Sequence, residues 1–307
     1  MKYIDWHCDT LIRLKGEFTV FSNPYQVDLQ RLIQIGSLGQ FFAVFIDSKG
    51  DYTPAYMPRI EEILSATTKD LAQAGARARL ITTKEDFRES VEKGNLGVFY
   101  TVEDAGLVGN QIEKAARLGV RLMTLTWNYN NAIAGAAQSA NPTGLTSFGY
   151  EVVEEMNDRG MIIDISHLSD AGFWDVIKAS KAPIVASHSN ARAVWNHKRN
   201  LTDEMIAAIA DKGGVIGFNF CCGFLGEESV TSTADIAKHV RHIMDVGGED
   251  VLAIGSDFDG IDNVTDFGGI SGLPALAQRL QGMGFSSGVV EKLMYKNSIR
   301  VILEILK

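Results

Sequence analysis

Proline and cysteine are scarce in this chain, with six and three residues respectively among 307. With so few prolines, and no low-complexity tract or long charge run, nothing marks an interdomain linker. Residues 1–307 therefore read as one domain. Two of the three cysteines, Cys221 and Cys222, are adjacent, and Cys8 stands alone. An odd count so arranged makes a poor disulfide framework and points to reduced thiols in a cytoplasmic protein. Long hydrophobic runs are also missing. No stretch approaches the ~20 apolar residues needed to cross a bilayer, and the opening MKYIDWHCDT is broken by Asp5, His7 and Asp9, so it lacks the apolar region of a signal peptide. No membrane partner is expected. Positive charge is in deficit, with 29 Lys and Arg against 38 Asp and Glu and a net charge of -9, which argues against a nucleic-acid partner.

What is present is alternation. Apolar runs at 3–6, 41–46, 97–100, 120–126, 161–165, 183–186, 214–220 and 251–255 are rich in Val, Ile, Leu and Phe. Most do not alternate with polar residues, as expected for parallel strands covered on both faces. Between them, 57–74, 111–118, 149–159, 170–180, 202–212 and 234–246 carry apolar residues at helical spacing, and 286–306 reads as a final helix. Ser169 and Thr202 stand where helix N-caps are expected. Eight strands alternating with helices is the arithmetic of an α/β protein of the (β/α)8 TIM barrel type. A doubly wound open sheet would usually carry a glycine-rich phosphate loop after its first strand when it binds nucleotides; here that strand runs into His-Cys-Asp.

The charged residues fall in a pattern. His7 and Asp9 close the first strand, and Glu103 lies just past the third. His167 follows the fifth, His188 the sixth, and Asp257 the eighth. In a barrel all these ends open on one face, where active sites are assembled. Imidazole and carboxylate together suit zinc and similar ions. Each position also has an ordinary reading: Asp9 as a helix N-cap, Asp257 and Asp259 as turn formers, a histidine as a satisfied polar group. Those readings do not explain the shared location. His239 and His242, one helical turn apart, fit a surface-facing side of an outer helix. Cys8 points into the barrel wall, Cys221 and Cys222 read as structural, and His197 has no assigned role.

In chain order, DWHCDT (5–10), VEDAG (102–106), RLMTLTWNYNN (121–131), MIIDISHLS (161–169), PIVASHSNARAV (183–194), HKRNLTDE (197–204) and IGSDFDG (254–260) resemble the membrane (renal) dipeptidase family. The resemblance runs from residue 5 to about residue 300. It implies a metal-dependent hydrolase on a (β/α)8 barrel that cuts the peptide bond of dipeptides with two Zn2+ ions and a metal-bridging hydroxide. By the same resemblance His7 and Asp9 hold one zinc, His167 and His188 the other, and Glu103 bridges them. Arg199 takes the substrate's free carboxylate, Asp257 carries the proton to the leaving amine, and homodimers are common.

One position departs from the family. A member known from kidney has a histidine after the LTLT segment, placed against the reacting carbonyl oxygen; here Trp127 stands there and is expected to contact substrate. An indole N–H can donate a hydrogen bond but cannot accept a proton. The departure leaves a related metal-dependent amidohydrolase, acting on N-acyl amino acids or lactams, as the alternative. A non-catalytic barrel is disfavoured because all the expected ligand positions are filled.

Overall fold

Eight short parallel strands form a closed ring: β1 (Tyr3–Cys8), β2 (Ser37–Phe45), β3 (Leu96–Glu103), β4 (Val120–Thr124), β5 (Ile162–Asp164), β6 (Val185–Ala186), β7 (Val215–Phe218) and β8 (Leu252–Ile254). The computed structural model describes every residue except 15, 17, 54, 55, 227 and 228. Each strand pairs with the next, and β8 returns to β1 through Asp5 opposite Ile254. The longest seam joins β2 to β3, from Gly39 opposite Gly97 to Phe45 opposite Glu103. A short strand, Ala78–Leu80, adds to the foot of β3.

All eight expected apolar runs are strands of this barrel. The second begins earlier than its apolar signal, because Ser37, Gly39 and Gln40 are polar or small yet buried between β1 and β3. One buried cluster takes Ile4 and Trp6 from β1, Phe41 from β2, Phe99 from β3, Leu122, Ile162, Val185, Val215 and Ala253 from the rest. Residues from every strand can meet only inside the ring. Trp6 stacks on Phe41 at 4.4 Å and Phe41 on Phe99 at 4.1 Å, offering the flat contact area that aromatic side chains pack best. Helix Asn297–Ile305 sends Val301, Ile302 and Ile305 into the same cluster, and Ser298 accepts a hydrogen bond from Trp6 Nε1 at 2.8 Å.

A second, larger cluster lies between the strands and the surrounding helices, and Cys8 packs there as expected. Ser169 and Thr202 do cap their helices, accepting from Gly172 N and Met205 N. Three helices carried little sequence signal: Leu29–Ile35, Lys84–Lys93 and Leu273–Gly282. In KEDFRESVEK only Phe87 and Val91 are apolar, so that helix is fixed instead by a Thr83–Asp86 capping box. No helix among the described residues is long and apolar enough to cross a membrane.

Candidate metal centre

The ends of the strands deliver the charged groups to one rim. His7 lies within β1 and Asp9 just after it, and Glu103 is the last residue of β3. His167, His188 and Asp257 follow β5, β6 and β8 by two or three residues. Several of these turns use backbone that side chains seldom adopt: φ is +81° at Asp104, +68° at His167, +61° at Asp257 and +69° at Asp259. Left-handed conformations at non-glycine residues are uncommon and gather at functional sites. Gly260 is required by proximity, since any Cβ there would collide with the carboxylates of Asp9 and Asp257.

Glu103 Oε1 is the hub. It lies 3.1 Å from His167 Nε2, 3.5 Å from His188 Nε2 and 3.8 Å from His7 Nε2. Asp9 Oδ2 is 3.3 Å and Asp257 Oδ1 3.8 Å from the same His7 nitrogen. Six groups drawn from five strands thus meet. Five of them form two overlapping sets able to hold an ion, His7 with Glu103 and His188, and His7 with Asp9 and Asp257, and His167 stands beside the first through Glu103.

The hydrogen bonds fix where the protons are. Ser187 Oγ donates to Asp164 Oδ2 at 2.6 Å, so it can only accept from His188 Nδ1, 2.7 Å away. Asn128 Oδ1 accepts from His167 Nδ1 at 3.0 Å. Both imidazoles therefore turn Nε2 lone pairs into the site, and those two nitrogens are 3.0 Å apart. Facing lone pairs repel unless a cation lies between or beside them. Asp9 Oδ1 is buried without a partner in the protein, which leaves a carboxylate oxygen free for the same purpose. The donor set and its orphaned oxygen fit a divalent metal.

Electrostatics point the same way. Burial would lower the pKa of His7, but Glu103, Asp9 and Asp257 outweigh it and push the imidazole up to about 10. Burial, with the negative charges of Asp9 and Asp257, raises Glu103 well above the usual carboxylate range. Asp257 is raised to about 6, chiefly by burial. His167 and His188 are driven well below the ordinary imidazole value by burial and by the charges of Arg199 and His7. Carboxylates thus crowd a buried site in which His167 and His188 stay neutral, the form in which imidazoles ligate a metal.

A cleft of about 330 Å³ opens over these groups, walled by Phe45, Trp127, Phe224 and Ile261 among others. Trp127 is in that wall, its ring 4.5 Å from Phe45 and 6.2 Å from His167. Arg199 stands one layer behind. Its guanidinium carbon lies 5.5 Å over the Phe224 ring, Nη2 donates to His188 O at 3.4 Å, and Nε is buried without a partner. Asp259 is committed elsewhere, accepting from Thr10 Oγ1 and from the backbone N–H groups of Gln26 and Val27.

Sequence reasoning passed over Asn128, Asp164 and Asn219. Asn219 Nδ2 donates to Asp257 Oδ2 at 2.9 Å, leaving Oδ1 toward the centre. The expectation for His239 is corrected. It is fully buried, accepting from Ala191 N at 3.1 Å and hydrogen-bonded through Nε2 to Leu225 O at 3.1 Å, so it ties its helix to the loops after β6 and β7. His242 pairs with Asp203 at 2.7 Å. All three cysteines are free.

The profile described as membrane dipeptidase (peptidase family M19) matches residues 1–307. The chain is similar to dipeptidase tcpJ of Claviceps purpurea, 30% identical over 300 residues, which span 91% of this chain and 69% of that one. An uncharacterised protein from the pqqA 5' region of Klebsiella pneumoniae is 34% identical over 245 residues, 76% of this chain and 90% of its own. Among solved structures, a metallopeptidase of Rhodobacter sphaeroides liganded with a phosphinate mimic of the dipeptide L-Ala-D-Ala superposes with TM-score 0.85 at 26% identity, covering 99% of both chains. An M19 metallopeptidase named dipeptidase AC gives 0.87 at 28%, covering 100% of this chain and 99% of that one.

Proposed function

Since the chain belongs to the membrane dipeptidase family of metallohydrolases, we propose that residues 1–307 act as a single catalytic domain that hydrolyses the peptide bond of dipeptides. Two zinc ions are the proposed cofactors. His7 and Asp9 would hold one, His167 and His188 the other, with Glu103 between. The observation that carries this reading is the convergence of three imidazole nitrogens within 3.8 Å of Glu103 Oε1. The dipeptide mimic bound by the Rhodobacter sphaeroides relative supports the substrate class.

When bound, such an ion pair supplies a nucleophile at neutral pH by acidifying a water, and Lewis acidity for the carbonyl oxygen. The protein does the rest. Ser187 and Asn128 hold His188 and His167 in the tautomer that presents Nε2 inward. Asn219 occupies Asp257 Oδ2, so Oδ1 is the atom that takes a proton and passes it to the departing nitrogen. Arg199, with Nε unpaired, takes the free carboxylate, where a planar guanidinium can bind in two-pronged fashion. Free thiols at Cys8, Cys221 and Cys222 support a cytoplasmic location as part of this proposal. Cleavage of N-acyl amino acids or lactams is the second reading, favoured by the apolar ring of Trp127 in the cleft wall.

Metal analysis coupled to a dipeptide hydrolysis screen tests the proposal. About two zinc ions per chain are expected, with turnover lost to a chelator and restored by zinc. Full turnover by metal-free protein would contradict it, as would a zinc-loaded protein that cleaves no dipeptide.

A further inference from the structure

Going round the rim, Phe45 ends β2 and Trp127 follows β4, so the two straddle Glu103 at the end of β3. Phe45 and Glu103 are register partners, and the Trp127 ring tilts onto Phe45 at 4.5 Å and 49°. Tyr129 backs Trp127 at 5.6 Å. Both Phe45 and Trp127 are only half-buried, leaving apolar ring surface open to the cleft.

In a closed ring of eight strands, β3 faces β7. The groups assigned to the leaving half of the substrate lie on that far side: Arg199 after β6, Asn219 after β7 and Asp257 after β8. Of the groups assigned to the ions, His7 and Asp9 at β1 stand across the ring from His167 at β5, with His188 after β6 and Glu103 at the end of β3. A dipeptide whose carboxylate and departing nitrogen are held on the β6–β8 side must extend its other half toward β2–β4. We propose that Trp127 and Phe45 form the acyl-side selector of this enzyme, choosing dipeptides whose N-terminal residue has an apolar or aromatic side chain. This deepens the functional reading above and rests on it. Trp127 thus acts on specificity, through stacking and exclusion of water, at a position from which it could not act on a proton.

The test is a two-way panel with zinc-loaded protein. One series varies the N-terminal residue before alanine (Gly, Asp, Leu, Phe), and the other varies the C-terminal residue after alanine, each in L and D form at the C-terminal position. Wild type should favour Phe and Leu over Gly and Asp in the first series, by about tenfold or more in kcat/KM, the scale on which an apolar pocket discriminates. Trp127→Ala should collapse the Phe-to-Gly ratio in the first series while leaving the ratios in the second within about twofold. Trp127→Phe should retain most of the preference. Phe45→Leu provides an independent variant should Trp127→Ala not fold, and should weaken the preference for Phe over Leu. Zinc content is measured throughout, since a selector role leaves it unchanged. A wild-type enzyme that cleaves dipeptides without regard to the N-terminal side chain would overturn the inference alone. So would a Trp127→Ala variant whose altered ratios lie in the C-terminal series. Failure of the zinc-loaded wild type to cleave any member of either series would overturn the functional reading and the selector with it.

Discussion

At the scale of the residue, the proposed ligand set depends on neighbours that touch none of its ligand atoms. Ser187 links Asp164 to His188 Nδ1. Ser187→Ala is therefore expected to weaken zinc binding about 10–100-fold in a competition titration, the usual effect of losing an outer partner of a ligating histidine. Unchanged affinity would remove the relay from the account. Asp257→Asn should keep the zinc content proposed for wild type and lose ~10²–10⁴-fold in kcat, as expected for lost proton transfer; an undiminished kcat would unseat Asp257. The six groups at the centre were readable because each stands just past an apolar run. Asn128, Asp164 and Asn219 were not, since an asparagine in a loop and an aspartate in IIDISH look alike whether or not tertiary contacts give them a histidine, a serine or an aspartate to hold. His239 could have been found. The stripe Ile236, Val240 and Ile243 is the buried face of its helix, and position 239 falls within it. Its burial keeps the folded imidazole neutral, down to about 4 against an ordinary 6.5. The unfolded chain thus takes up the proton first as pH falls, and stability present above pH 6.5 drains away toward pH 4. Between pH 7 and pH 5 this group alone should cost about 2 kcal/mol. Denaturant titrations of wild type and His239→Gln at the two values should differ by that order; parallel losses would refute it.

At the scale of the element, the strands were legible and some helices were not, for one physical reason. A barrel strand is covered on both sides and must be apolar nearly throughout, whereas an outer helix needs only a narrow stripe. Helix Lys84–Lys93 buries little beyond Phe87 and Ser90 and depends on its cap. The same logic locates the mechanical centre of the strands. Phe41 is fully buried between Trp6 and Phe99, so Phe41→Ala should cost about 3–5 kcal/mol by loss of contact and formation of a cavity. A denaturant midpoint shifted by less than about 1 kcal/mol equivalent would mean that the barrel refills the space. The C-terminal helix reads as continuous in the sequence and is so, except that Lys292–Lys296 forms a π turn between Ser287–Glu291 and Asn297–Ile305. No residue pattern announces that turn.

At the scale of the whole molecule, one rim of the barrel gathers charge while its interior is filled with rings and aliphatic side chains. Three carboxylates and three imidazoles packed at one rim crowd negative charge, so removing the proposed zinc ions should lower stability as well as activity. Binding that favours the folded state adds about 4 kcal/mol at a thousandfold excess over Kd. A chelator should therefore depress the melting temperature, and one that abolishes turnover without moving it would show that the apo rim is self-sufficient. The left-handed backbone at Asp104, His167, Asp257 and Asp259 carries this into evolution and engineering. In a saturation library scored for folding alone, those four sites should rank glycine and asparagine above alanine, although neither replaces the imidazole of His167 or the carboxylate of Asp257. Scored for hydrolysis, the order at His167 and Asp257 should collapse to the native residue. Sites where the two rankings part company are the ones at which this chain keeps a conformation for the sake of its chemistry.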